Sequence, residues 1–145
     1  CATVSPMLKE IVQDYGSKVR LVFRHFPLSS IHANAELASR MVMAAGRQGK
    51  FWEMSETVYA HQNEWSLKSN PESLFVRYAQ DIGLDTDKLR ADANDQALID
   101  QIRLDKGDAE ALNLGGTPAL FINGTEMTDA ITSDNLAKQI DAALK

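Results

Sequence analysis

Cysteine is almost absent from this sequence: there is one, Cys1, so the chain cannot close a disulfide within itself. On composition alone, a lone cysteine is most often a small apolar packing residue. A basic excess is missing too. Lys and Arg number 15 against 20 Asp and Glu, a net charge of −5, so no positive field exists to gather nucleic acid or anionic lipid. No apolar run approaches the roughly 18 residues of a membrane-spanning helix. His25, His32 and His61 share no metal-ligand spacing, and neither a metal nor a cofactor is expected. Repeats and low-complexity tracts are also missing. What remains, 145 residues of which 44% are apolar and 24% charged, suits one globular domain with a sizeable core. Residue 1 already lies in a helical pattern, so any targeting segment is expected upstream of it.

The apolar residues fall into helical stripes over much of the chain. Val4, Leu8, Ile11, Val12 and Tyr15 line one helix face, and Gly16 closes that helix. From His32 to Arg47, Ala35, Leu37, Ala38, Met41, Val42 and Ala45 form a second stripe, ending before Gly49. Phe51, Met54 and Val58 mark a third, over 51–61. Pro71 opens a helix that Gly83 stops. Asp85 or Thr86 caps a short one over 86–94. The last of the block runs over 97–112, with an interruption expected at Gly107. Met41, Met43 and Met54 read as core, and Trp52 and Trp65 as packing residues. The charges over 85–108 read as a solvated helix face.

Two stretches break this pattern. Val19 to Arg24 is β-branched and aromatic and too short for a helix; it reads as a strand buried on both faces and stopped by Pro27. Near the end, Ala119 to Ile122 and Thr125 to Ala130 flank Asn123-Gly124, the strongest short hairpin signal, because both central residues need positive φ. Ser133 caps a final helix through Leu136, Ile140 and Leu144. The order is helix, strand, helical block, hairpin, helix. A sheet of that kind wants one more strand before residue 1.

Cys1 stands at the amino end of a helix, where free N–H groups and the helix dipole favour a thiolate. Pro6 either kinks that helix or occupies a late first-turn position. Thr117-Pro118, by itself, is an ordinary loop breaker. His25 follows a strand near the sheet's end, which leaves it a possible neighbour of the reacting groups.

The stretch Cys1-Ala2-Thr3-Val4-Ser5-Pro6 resembles the second half of the DsbA-like motif, Cys-Pro-x-Cys followed by a proline. The resemblance continues through Val19–Pro27 and Gly49-Lys50-Phe51-Trp52-Glu53-Met54 to Gly116-Thr117-Pro118-Ala119-Leu120-Phe121-Ile122-Asn123-Gly124, in the family's order. It implies an α/β thioredoxin fold over 1–145, with about 1–30 and 113–145 as core and about 31–112 as a helical insertion between the first βα unit and the C-terminal β-hairpin–helix. The first central strand would be missing from this chain. Strands 19–24 and 119–122 would then not be neighbours, since that strand lies between them.

The same resemblance assigns roles. Cys1 takes the resolving position, partly covered in the intact protein, with the attacking cysteine three residues upstream. Thr117 and Pro118 form a substrate-binding cis-proline loop, whose free backbone edge can pair with an extended peptide. The implied activity is thiol–disulfide exchange with extracytoplasmic protein substrates, periplasmic or extracellular, alongside a membrane-bound or soluble redox partner. With one thiol the chain alone is expected to be inactive. Two alternatives stay open: a redox-inactive peptide-binding module, and a glutathione-dependent isomerase or transferase of the same fold.

Overall fold

The computed structural model describes residues 1–145. Its elements are α1 (Ser5–Tyr15), a 3-10 turn (Gly16–Lys18), α2 (Ala35–Gly46), α3 (Phe51–Ala60), α4 (Gln62–Trp65), α5 (Glu72–Asp81), α6 (Thr86–Ala93), α7 (Gln96–Ala111), β1 (Phe121–Ile122), β2 (Thr125–Glu126) and α8 (Ser133–Ala143). They fall into two compact units, one of Cys1–Phe23 with Leu114–Lys145 and one of Arg24–Asn113.

In the first unit, Ile11, Met127, Leu136 and Ile140 form a small core flanked by Leu8, Tyr15, Val19, Leu120 and Ile122. The Tyr15 hydroxyl joins α1 to α8, at 2.8 Å from Asp141 Oδ1 and 3.2 Å from the Ala137 carbonyl. Strands β1 and β2 pair antiparallel, Phe121 opposite Glu126 and Ile122 opposite Thr125. Asn123 (φ 48°) and Gly124 (φ 84°) make the turn, as the Asn-Gly pair predicts. The Met127 amide then reaches the Leu120 carbonyl at 2.8 Å and closes the hairpin onto the core. The hairpin is shorter than the sequence suggests, and 127–132 leave it as an irregular connection. A Cβ on Gly124 would meet nothing within 4 Å. Gly124→Ala should therefore cost only the conformational penalty of positive φ, about 1 kcal/mol in urea unfolding.

Residues 19–24 differ from expectation. The sheet contains β1 and β2 alone, so this run belongs to no ladder and is not a neighbour of β1. A strand is defined by its place in a ladder, and the one ladder present joins β1 to β2. The side chains of 19–24 do alternate, with Val19, Leu21 and Phe23 half-buried and Arg20, Val22 and Arg24 exposed. Val22 is 62% exposed, so the run is covered on one face rather than two.

The second unit is helical. Met41, Met54, Phe75 and Leu89 are fully buried at its centre. Ala44 and Ala45 are fully buried too. Gly46 lets α2 approach α3 closely; a Cβ there would lie 3.3 Å from the Phe51 ring. Side-chain caps begin several helices. Asp85 accepts from the Lys88 amide and Asp95 from the Ala97 amide, each at 2.9 Å. In the first unit α8 is capped by Thr132, not Ser133, through the Asn135 amide at 3.2 Å. Helix α7 runs unbroken through Gly107, because Ile102, Asp105 and Ala109 are buried on either side. Tertiary burial here outweighs the intrinsic cost of a helical glycine.

The acids over 85–108 are not simply a solvated face. Asp105 is 6% exposed. Its Oδ1 accepts from Arg24 Nε at 2.6 Å and its Oδ2 from the His25 amide at 3.0 Å, while Arg24 also pairs with Asp108. This carboxylate pins the beginning of the unit to α7. Arg47 likewise holds Asp92 at 3.0 Å and Asp95 at 2.6 Å.

Candidate active site

The residues singled out for chemistry all lie in the first unit. The Cys1 carbonyl accepts from the Val4 amide at 2.9 Å and the Ser5 amide at 3.0 Å, so a helical turn begins at Cys1 and leads into α1. The amides at the head of that turn have no intrahelical acceptor, which makes the position favourable for an anion. Pro6 stands in the first turn of α1, where a missing N–H costs least. It also cannot donate to the Ala2 carbonyl, so the opening turn and α1 share no continuous hydrogen-bond ladder. The first-turn reading of Pro6 is the one that holds. Cys1 is a free, exposed cysteine in this chain.

Leu114 to Pro118 form the loop that enters β1. The Thr117–Pro118 peptide bond is cis. Thr117 is exposed and Pro118 half-buried, while Leu120 and Ile122 beyond them pack on the unit's core. Pairing with β2 fixes that alternation and turns Phe121 outward. The loop therefore hangs from a strand whose register is set, and α1 is tied to the same core by Ile11 and Leu8.

A family model described as thioredoxin matches residues 1–142. The chain belongs to the thioredoxin family. Its fold is that of DsbA-like proteins: alpha-DsbA2 from Wolbachia pipientis, a thiol-disulfide exchange protein, superposes with a TM-score of 0.83 at 21% identity, covering 99% of this chain and 74% of that one. A thioredoxin-like oxidoreductase from Silicibacter pomeroyi gives a TM-score of 0.78 at 26% identity, over 99% of this chain and 80% of the other. Sequence relatives carry a different kind of name. Na(+)/H(+) antiporter NhaA 3 of Salinispora tropica is 38% identical over 124 residues, 86% of this chain but 18% of that protein. Na(+)/H(+) antiporter NhaA 1 of Salinispora arenicola is 32% identical over 143 residues, 99% of this chain and 21% of that protein. The chain spans about a fifth of the length of these relatives.

Other residues weighed in the sequence of this thioredoxin-family chain lie in the helical unit. His25 is buried with its ring edge-on to Phe51, centroids 6.0 Å apart. Burial pushes its pKa down to about 4, against the opposing pull of Asp105. His61 Nδ1 lies 2.9 Å from the Thr57 carbonyl and its ring 4.9 Å from that of Tyr78. Met41 and Met54 are core and Met43 packs beside them. Trp65 is buried and donates to the Val58 carbonyl at 2.8 Å, whereas Trp52 stays partly exposed. The Arg24–Asp105–His25 linkage went unread in the sequence. Its one local signal is the pair Asp105 and Asp108, three apart on one helix face.

Proposed function

We propose that this chain is the substrate-exchanging part of a protein thiol–disulfide oxidoreductase, with Cys1 as the second cysteine of a Cys-x-x-Cys motif. The observation that carries the reading is the position of the sole cysteine, at the head of the turn leading into α1 in a thioredoxin-family chain. Thr117-Pro118 in the same unit supplies the loop for an extended substrate segment. The attacking cysteine, three residues before Cys1, displaces one sulfur of a substrate disulfide and forms a mixed disulfide. The Cys1 thiolate then attacks the enzyme sulfur of that bond and releases the second substrate thiol, leaving the enzyme dithiol oxidised by two electrons. Run backwards, the same steps oxidise a substrate dithiol. Such exchange suits protein substrates outside the cytoplasm, with a separate redox partner resetting the cysteines.

The test uses the full-length protein with its upstream residues. It should reduce insulin in the presence of a thiol donor, or oxidise a reduced model protein, and Thr117 and Pro118 should crosslink to a bound substrate peptide. An inert full-length protein that still binds unfolded peptide would favour a redox-inactive binding module instead.

The antiporter relatives favour a second reading, in which the same exchange chemistry serves a transporter. No helix of this chain is long and apolar enough to cross a membrane, so ion antiport itself would need residues other than these. A thiol on an associated transporter would then be the substrate, and trapping should recover it.

A further inference from the structure

We propose that the helical unit carries a docking cleft for an acidic, leucine-bearing segment of a partner protein. The cleft, open and about 550 Å³ in volume, lies between the 31–34 turn and the 62–68 segment, with Ile31, His32, Gln62, Asn63, Leu67 and Lys68 on its walls. It lies wholly in the unit that lacks Cys1 and goes beyond the redox reading.

Its backbone is braced. Asn34 Nδ2 donates to the carbonyls of Trp65, Ser66 and Lys68 at 3.0, 3.1 and 2.8 Å. Trp65 itself is buried and fastened to the Val58 carbonyl. On this fixed frame Leu67 is 97% exposed, and Ile31, across the cleft, is 70% exposed. One exposed leucine on a loose loop calls for no explanation. Two large aliphatic side chains on opposite walls of one braced cleft make a surface that a partner's apolar side chain can cover.

Charge selects the partner. The chain carries 20 acidic residues, yet none lines the cleft. Glu64, the carboxylate nearest in sequence, accepts from the Tyr78 hydroxyl at 2.9 Å and from Arg77 at 3.1 Å, and is thereby held toward α5. Lys68 supplies the one fixed charge, a cation. The amides of Gln62 and Asn63 offer donors and acceptors suited to a peptide main chain. An open, amide-lined cleft fits an extended peptide better than a small metabolite, which an enclosed pocket would hold. An anionic lipid surface shares the charge preference but not the concave shape.

The test is a titration of the isotope-labelled full chain, followed by amide NMR, with a short acetylated and amidated peptide of glutamate, leucine and glycine. Signals of 31–34 and 62–68, with the side-chain amides of Gln62 and Asn63, should shift and saturate. A peptide with lysine in place of glutamate should bind roughly tenfold more weakly. Leu67→Ser should weaken the acidic peptide by about tenfold while leaving the rest of the spectrum in place, since Leu67 packs on nothing. Lys68→Glu should reverse the preference between the two peptides. Absence of saturable shifts, or equal binding of both peptides, overturns the proposal. Saturation by phosphatidylcholine–phosphatidylglycerol vesicles, with no saturable response to the acidic peptide, overturns it in favour of a lipid surface.

Discussion

Cys1→Ala in the full-length dithiol protein should abolish turnover and leave substrate attached. The attacking cysteine would still open a substrate disulfide, but nothing would displace it from the mixed disulfide. Turnover without added thiol should fall by on the order of 100-fold or more, since the two thiols act as a unit. Non-reducing gels should show adducts that dithiothreitol releases, and mass spectrometry should place the bond on the residue three before Cys1. Small external thiols should restore part of the rate by taking over the resolving step. Full turnover by the alanine variant, without adducts and without added thiol, would remove the role assigned to Cys1. The Cys1 carbonyl holds its turn through the Val4 and Ser5 amides, bonds that alanine keeps, so the substitution should leave the fold's stability nearly unchanged.

Stability should fall steeply as pH drops from about 6.5 to about 4. His25 is buried, and desolvation lowers its pKa from 6.5 to about 4 in the folded chain. Above 6.5 neither state binds a proton at this side chain, and pH has no leverage through it. Between the two values the unfolded chain takes up a proton that the folded one refuses, so unfolding is favoured increasingly. Below about 4 both states are protonated and the loss is complete. The difference from 6.5 to about 4 amounts to about 3 kcal/mol. His25→Gln should flatten urea-derived stability across that window; a slope unchanged by the substitution would contradict this account. The acidic side of the profile has another source. Asp92, held low chiefly by Lys88, and Asp95, held low chiefly by Arg47, shed their contributions only as pH falls below 3.8.

These two expectations differ in where their warrant was legible. Cys1, Pro6, Thr117 and Pro118 stand in the sequence at positions whose meaning is local: a helix start, a break in its ladder, and a loop ahead of a strand. His25 gave no such clue. Its depressed pKa comes from burial, beside the Phe51 ring, and its backbone is held by Asp105, 80 residues away. Asp105 sits in a run of charges that reads as solvated, because burial of a single carboxylate leaves no mark on composition when the compensating Arg24 is so distant.

By itself the sequence determined the helices with clear apolar stripes, their glycine and aspartate boundaries, and the Asn123-Gly124 turn. Each rests on interactions between residues a few positions apart, so periodicity and turn chemistry suffice to specify it. The absence of basic excess, apolar spans and paired thiols was equally plain. Only the tertiary structure decided that α7 continues through Gly107, that α4 forms beside Trp65, and that Val19 to Arg24 belongs to no ladder and is covered on one face. It also decided that Leu67 stands in water on a frame braced by Asn34. In each case the deciding partner lies on another element. The stabilising energy is burial or a long-range hydrogen bond, which no local pattern encodes.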